Sequence, residues 1–239
     1  MVGCKIKVIK NKMYFKTNFK VAAILLLLVF GVACKITDAN VVKSTINTSE
    51  GPKKITSELL KKGVFNAPSF EFTDAYSNQS IQSNIKGLFF KGLDYKGKST
   101  KVFCWYGEPK NMDKSKKTPA VVLVHGGGGT AFPQWVKQWT DRGYIAISVA
   151  LEGQIPGERI KDKDDKLQHP TFKFSGPQRQ RFFQDVVTEK LEDQWFFHAV
   201  ADVLIAKSLL KSFPQVDETK IGITGISWGG ILTNVITGL

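Results

Sequence analysis

One stretch decides the fold of this 239-residue chain: Lys220-Ile221-Gly222-Ile223-Thr224-Gly225-Ile226-Ser227-Trp228-Gly229. Its first six residues are typical of a short buried strand, and a helix is predicted to begin at Gly230. Between them lies G-x-S-x-G, in which a serine at a strand-to-helix turn takes a strained conformation and needs glycine on both sides. The pattern predicts that Ser227 is a nucleophile flanked by Gly225 and Gly229. A tight turn with a structural serine is the alternative.

A second glycine-rich motif, His125-Gly126-Gly127-Gly128-Gly129, follows the apolar run Ala120–Val124. A continuous run of β-branched residues is typical of a strand buried on both faces of a parallel sheet. Glycines after such a strand let the backbone approach a bound acyl group and direct N–H donors at it. We therefore expect an oxyanion hole formed by Gly127 or Gly128 together with the amide of Trp228. We expect His125 to support the loop through hydrogen bonds.

Two other kinds of glycine-rich loop do not fit this motif. A phosphate-binding loop ends in Gly-Lys-Ser/Thr, and no lysine precedes Thr130. A dinucleotide-binding loop needs an acidic residue at the end of the following strand, and the run Ile145–Ala150 has none. The three cysteines lack the spacing of a metal site. We therefore expect neither an organic cofactor nor a metal ion.

Strands alternate with helices, which predicts right-handed crossovers and an α/β fold. We expect a mostly parallel sheet with helices on both faces and a long polar loop over residues 152–180. Asp202, in the middle of a long helix, should face the sheet and pair with a polar group there. Cys104 should be a small buried side chain in a strand. The predicted strands are 87–90, 101–106, 120–124, 144–150 and 220–225, and the predicted helices are 133–142, 193–213 and 230–236.

The N-terminus has the features of an export signal. Residues 1–20 hold six lysines and no acidic residue, and the apolar run Val21–Ala33 is too short to span a bilayer. Gly31-Val32-Ala33 fits a signal-peptidase site, and Cys34 follows it directly. Residues 1–33 are therefore predicted to be a signal peptide, and the protein to be periplasmic, secreted, or lipid-anchored to the cell envelope through Cys34. An uncleaved membrane anchor is the alternative.

Much of the positive charge belongs to this N-terminal segment. Without residues 1–33 the net charge falls from +13 to +7, and no nucleic-acid-binding motif accompanies the remaining lysines. A nucleic-acid partner is therefore not expected. Hydrophobic residues at 42% and charged residues at 23% are usual for a globular protein and exclude collagen-like and disordered chains. Residues 34–84 are predicted to be a polar extension with a short helix around Ser57–Lys62, and residues 85–239 to be the main domain.

The two glycine motifs, 102 residues apart, give residues 85–239 a resemblance to the α/β-hydrolase superfamily. Within it, the chain resembles the acetyl xylan esterase, dienelactone hydrolase and prolyl oligopeptidase neighbourhood. The resemblance implies a serine hydrolase that cleaves small-molecule or carbohydrate esters, for example by deacetylating a polysaccharide. A serine peptidase of the prolyl oligopeptidase type and a non-catalytic lipoprotein are the alternatives.

The resemblance also implies a catalytic acid and a histidine after the serine in the chain. The 12 residues that follow Ser227 contain no Asp, Glu or His. We therefore expect the acid, the histidine and the last three strands of the fold to lie beyond Leu239, so that the chain is the N-terminal part of a longer hydrolase. The three histidines upstream, His125, His169 and His198, are expected to have structural roles.

Overall fold

The computed structural model describes residues 50–179 and 189–239. The predicted signal peptide and Cys34 lie outside the described residues. The strands are β1 (Phe70–Thr73), β2 (Ile85–Lys91), β3 (Lys101–Gly107), β4 (Thr118–Val124), β5 (Ile145–Val149), β6 (Ile160–Lys161), β7 (Leu167–Gln168) and β8 (Val216–Gly225). The α-helices are α1 (Glu50–Lys61), α2 (Pro133–Thr140), α3 (Trp195–Ser212) and α4 (Trp228–Thr237).

Six strands form one mixed sheet in the order β1-β2-β3-β5-β4-β8. β4 pairs in parallel with β5 and with β8, whereas β1, β2, β3 and β5 are joined by antiparallel pairings. Four of the six strands, β2, β5, β4 and β8, point in the same direction. The parallel part contains the two strands that precede the glycine motifs, so the carboxyl ends of β4 and β8 lie side by side.

The sheet separates two hydrophobic clusters, which confirms that helices cover both faces. Val122 and Val124 of β4 pack with α3 and α4, while Val121 and Leu123 face the opposite side, where Val136 of α2 is fully buried. In α3, 14 of 18 residues are buried, so this helix has no wide polar face and is an interior element. The predicted α/β architecture is therefore present.

The folded unit begins upstream of residue 85, within the predicted polar extension. Leu59 of α1 and Val64 are fully buried in the same cluster as α3, and β1 pairs antiparallel with β2. The helix expected around Ser57–Lys62 is also longer than predicted. The sequence pattern understated this region because Leu59 is the one buried side chain among residues 53–61 of α1, and β1 has only four residues. The polar loop predicted over residues 152–180 likewise contains a small hairpin, β6–β7.

Asp202 of α3 and Cys104 of β3 are both buried in the interior. Cys104 is fully buried, as predicted. Asp202 is buried too, but its carboxyl group has no hydrogen-bond partner in the described part of the chain, which corrects the expected polar pairing. Burial raises the pKa of Asp202 to about 8, because a low-dielectric interior disfavours the charged form. Asp202 is therefore protonated in the folded protein at neutral pH.

This pKa predicts a pH-dependent effect of Asp202→Asn on stability. An unfolded aspartate has a pKa of about 3.9, so unfolding releases this proton between about pH 4 and pH 8, and the stability of the parent falls as pH rises through that range. Asparagine does not titrate. From pH 5 to pH 8 the free energy of unfolding of the variant, relative to that of the parent, should therefore rise by on the order of 2–4 kcal/mol.

Urea unfolding of parent and variant at pH 5 and at pH 8 measures this change. Asp94→Asn, which replaces an exposed aspartate, is the control. Identical pH profiles for the parent and Asp202→Asn would show that Asp202 is ionised in the folded protein.

Candidate active site

Ser227 joins β8 to α4 in a backbone conformation that is rare for a residue with a side chain. Its φ is 55° and its ψ is −119°. Conformations of this kind cost about 1–3 kcal/mol and persist only when the surrounding structure enforces them. The side chain of Ser227 is exposed, and it stands where the carboxyl end of β8 meets the N-terminus of α4.

Gly225 and Gly229 enforce this conformation because neither position has room for a side chain. A Cβ atom on Gly225 would lie 2.9 Å from the Cα of Gly229 and closer still to its carbonyl group. A Cβ atom on Gly229 would lie 2.8 Å from the carbonyl oxygen of His125 and closer still to that of Val124. The N–H of Gly229 donates to the carbonyl of Ile226 at 2.9 Å. The turn is therefore packed directly against the end of β4.

His125 organises the glycine loop that follows β4. The N–H of Leu151 donates to His125 Nε2 at 2.9 Å, so Nε2 is the acceptor and Nδ1 carries the proton. His125 Nδ1 then donates to the carbonyl of Gly126 at 2.6 Å, and the N–H of Gly129 donates to the same oxygen at 3.0 Å. Burial lowers the pKa of His125, which favours the neutral ring that this arrangement requires.

These bonds determine where the amide of Gly127 points. A trans peptide is planar, so the N–H of Gly127 points opposite to the carbonyl of Gly126 and away from His125. Within residues 50–179 and 189–239, this N–H has no hydrogen-bond partner. A Cβ atom on Gly127 would lie 2.8 Å from Trp228 Cδ1, and one on Gly126 would lie 3.3 Å from Ser227 Cβ. The glycine loop therefore lies against both Ser227 and the first residue of α4, where helix amides concentrate positive potential.

Gly128 is one of the two glycines predicted as oxyanion donors, but its N–H already makes a hydrogen bond within the protein. The N–H of Gly128 donates to Glu152 Oε1 at 2.9 Å, and its φ of 70° is one that glycine adopts without strain. Gly128 is therefore not retained as an oxyanion donor, which leaves Gly127 as the candidate from this loop.

Sequence reasoning missed Glu152 and Arg179. Glu152 is 8% exposed, and its Oε1 also accepts from Arg179 Nε at 3.2 Å. The guanidinium lies against Gly127, since a Cβ atom there would be 3.0 Å from Arg179 Nε. The available signal was the position of Glu152 just after β5, next to the loop that follows β4 at the same edge of the sheet.

The other two histidines make no hydrogen bond to Ser227 among the described residues. His198 is 3% exposed in α3, and its Nε2 lies 2.9 Å from the carbonyl oxygen of Glu192, which confirms that it is a packed helix residue. His169 Nε2 is buried without a hydrogen-bond partner among the described residues. Burial, followed by the charge of Arg159, lowers the pKa of His169. No helix within the described ranges is long and apolar enough to cross a membrane.

The serine turn, the adjoining glycine loop and a mixed sheet covered by helices on both faces define an α/β-hydrolase. Residues 64–239 match the family model described as Acetyl xylan esterase (AXE1). The chain belongs to this family, and thereby to the serine hydrolases.

Related proteins fall into two groups. The chain is 27% identical over 173 residues to a probable dipeptidyl-peptidase 5 of Aspergillus clavatus, which is 68% of this chain and 20% of the relative. It is 23% identical over 172 residues to dipeptidyl-peptidase 5 of Aspergillus fumigatus, again 68% and 20%. Acetyl xylan esterase 1 from Thermoanaerobacterium shares the fold with a TM-score of 0.56 at 18% identity, over 78% of this chain and 54% of that one. An acetyl xylan esterase from Paenibacillus gives a TM-score of 0.51, also at 18% identity, over 79% and 53%. The chain thus spans about a fifth of the peptidases and about half of the esterases.

Proposed function

We propose that this protein is an exported serine esterase that removes acetyl groups from a carbohydrate. The observation that carries the proposal is the strained backbone of Ser227, which lies against Gly126 of the glycine loop. The hydroxyl of Ser227 attacks the ester carbonyl, and the amides of Gly127 and Trp228 stabilise the negative oxygen of the tetrahedral intermediate. The alcohol leaves, and water then releases acetate from the acyl-enzyme.

The base that accepts the proton of Ser227 is proposed to lie beyond Leu239. Both ring nitrogens of His125 are already hydrogen-bonded, His198 is buried in α3, and His169 Nε2 is itself a buried atom. The solved esterases with this fold are about twice as long as the part that the chain matches. Export through residues 1–33, with or without lipidation at Cys34, belongs to the same proposal.

A serine peptidase is the second candidate, favoured by the sequence matches to dipeptidyl-peptidase 5. The full-length gene product separates the two when it is offered acetylated xylo-oligosaccharides and dipeptidyl p-nitroanilides side by side. We expect acetate release, and we expect it to be faster than p-nitroaniline release. Cleavage of the dipeptidyl substrate alone would replace the esterase with the peptidase, and activity on neither would contradict both.

A further inference from the structure

Glu152 and Arg179 form a charged pair next to the glycine loop. We propose that Glu152, held by Arg179, is a positioning residue for the oxyanion hole. The inference rests on the proposed function, in which the amide of Gly127 binds the oxyanion. Neither residue is proposed to touch the substrate.

Gly127 lies between two peptide groups that are fixed by different partners. The peptide before it is held through the carbonyl of Gly126, which accepts from His125 Nδ1 and from the N–H of Gly129. The peptide after it is held through the N–H of Gly128, which donates to Glu152 Oε1. Glycine has the widest backbone freedom of all residues, so Gly127 is kept in one conformation only when the peptides on both sides of it are held. His125 holds the first peptide and Glu152 the second.

Glu152 is held close to the end of a central strand of the sheet. It follows β5 by three residues, and its own N–H donates to Gln154 Oε1 at 2.9 Å. A hydrogen bond from an amide to a carboxylate is about twice as strong as one between neutral groups. The carboxylate therefore restrains Gly128 more firmly than a neutral acceptor.

The positive charge of Arg179 stabilises the carboxylate of Glu152 in this largely buried position. The side chain of Glu152 is only 11% exposed, and a buried negative charge is costly without a partner. An uncompensated carboxylate beside the glycine loop would also repel the negative oxygen that develops during the reaction. The guanidinium lies against Gly127 and neutralises that charge where the oxyanion forms. Loss of Arg179 should therefore lower the rate even when the glycine loop keeps its shape.

The hydrogen bond itself can be measured without any activity. Amide hydrogen exchange of Gly128 should become about ten-fold faster or more in Glu152→Ala, and less so in Glu152→Gln, whose amide oxygen can still accept. The exchange of Gly129, which is bonded within the loop, should change less. Glu218→Ala, which removes an exposed ion pair with Lys211, is the matched control. Unchanged Gly128 exchange in Glu152→Ala would overturn the proposal.

Ester hydrolysis by the full-length protein tests the catalytic consequence. We expect Glu152→Ala and Arg179→Ala to lower kcat by about ten- to a hundred-fold with little change in KM. Glu152→Gln should lose less, because its amide oxygen can still accept from Gly128, and Arg179→Lys should recover part of the loss.

Ser227→Ala separates the two ideas. If it keeps its activity, the proposed function fails; if it is inactive while Glu152→Ala keeps the parental kcat, only the positioning role fails. If Glu152→Ala does not fold, Arg179→Ala takes its place, and a parental kcat in that variant would show that the pair does not act on the oxyanion hole.

Discussion

Replacing Ser227 by alanine should reduce ester hydrolysis by the full-length protein by at least about a thousand-fold. The variant keeps the glycine loop and the amides that stabilise the oxyanion, but it has no atom that can form the acyl-enzyme. Removal of a serine nucleophile typically leaves only the catalysis that binding and the oxyanion hole provide. Initial rates of acetate release from an acetylated sugar, compared at equal protein concentration, measure the loss.

The loss should be chemical and should not reflect unfolding. The thermal unfolding midpoint of Ser227→Ala should match that of the parent, because the side chain of Ser227 is exposed. Ser115→Ala, on a surface turn far along the chain, is the control for replacing a serine in general. Parental acetate release by Ser227→Ala would remove this residue from the mechanism and, with it, the assignment of the turn as catalytic.

Gly229→Ala should lower the free energy of unfolding by about 3 kcal/mol or more. The added methyl group would lie 2.8 Å from the carbonyl oxygen of His125 and closer still to that of Val124. Both oxygens belong to the main chain at the end of β4. This strand lies between β5 and β8 in the sheet. Backbone in that position cannot move away without breaking the pairing with β5 or β8. Urea unfolding gives the change directly.

Gly230→Ala is a closely matched control. It adds the same methyl group one residue further along α4, where the nearest other atom, the carbonyl oxygen of Gly225, would be 3.6 Å away. Alanine is about 1 kcal/mol more favourable than glycine inside a helix, so this variant should be as stable as the parent or slightly more stable. Equal losses in the two variants would mean that the packing of α4 against β4 is looser than the structure shows.

The elements with strong apolar patterns were predictable from the sequence. The runs that form β4, β5 and α3 are long and apolar, and the structure contains all three within a few residues of their predicted bounds. Elements whose stability comes from neighbours were not predictable. β1 has four residues with no buried side chain, and its place in the sheet depends on pairing with β2, which no local pattern encodes.

The site was predictable to the extent that it is local in sequence. Ser227, its flanking glycines and the loop at His125 could be recognised because neighbouring residues in the chain supply the geometry. The hydrogen bond of the Gly128 amide could not be predicted, because its partner Glu152 lies 24 residues away in the sequence. Arg179 lies 27 residues beyond Glu152, and the pair is brought together only when the chain after β5 folds back over the glycine loop.

The stability of the fold does not require a serine at position 227. Glycine would adopt φ 55° and ψ −119° without the penalty that any other residue carries there. Mutation and drift under selection for stability alone would therefore tend to replace the serine, and the folded domain would gain from the change. A protein that retains Ser227 is less stable than its glycine variant. Such a residue is expected to persist in evolution only while its hydroxyl group contributes to fitness.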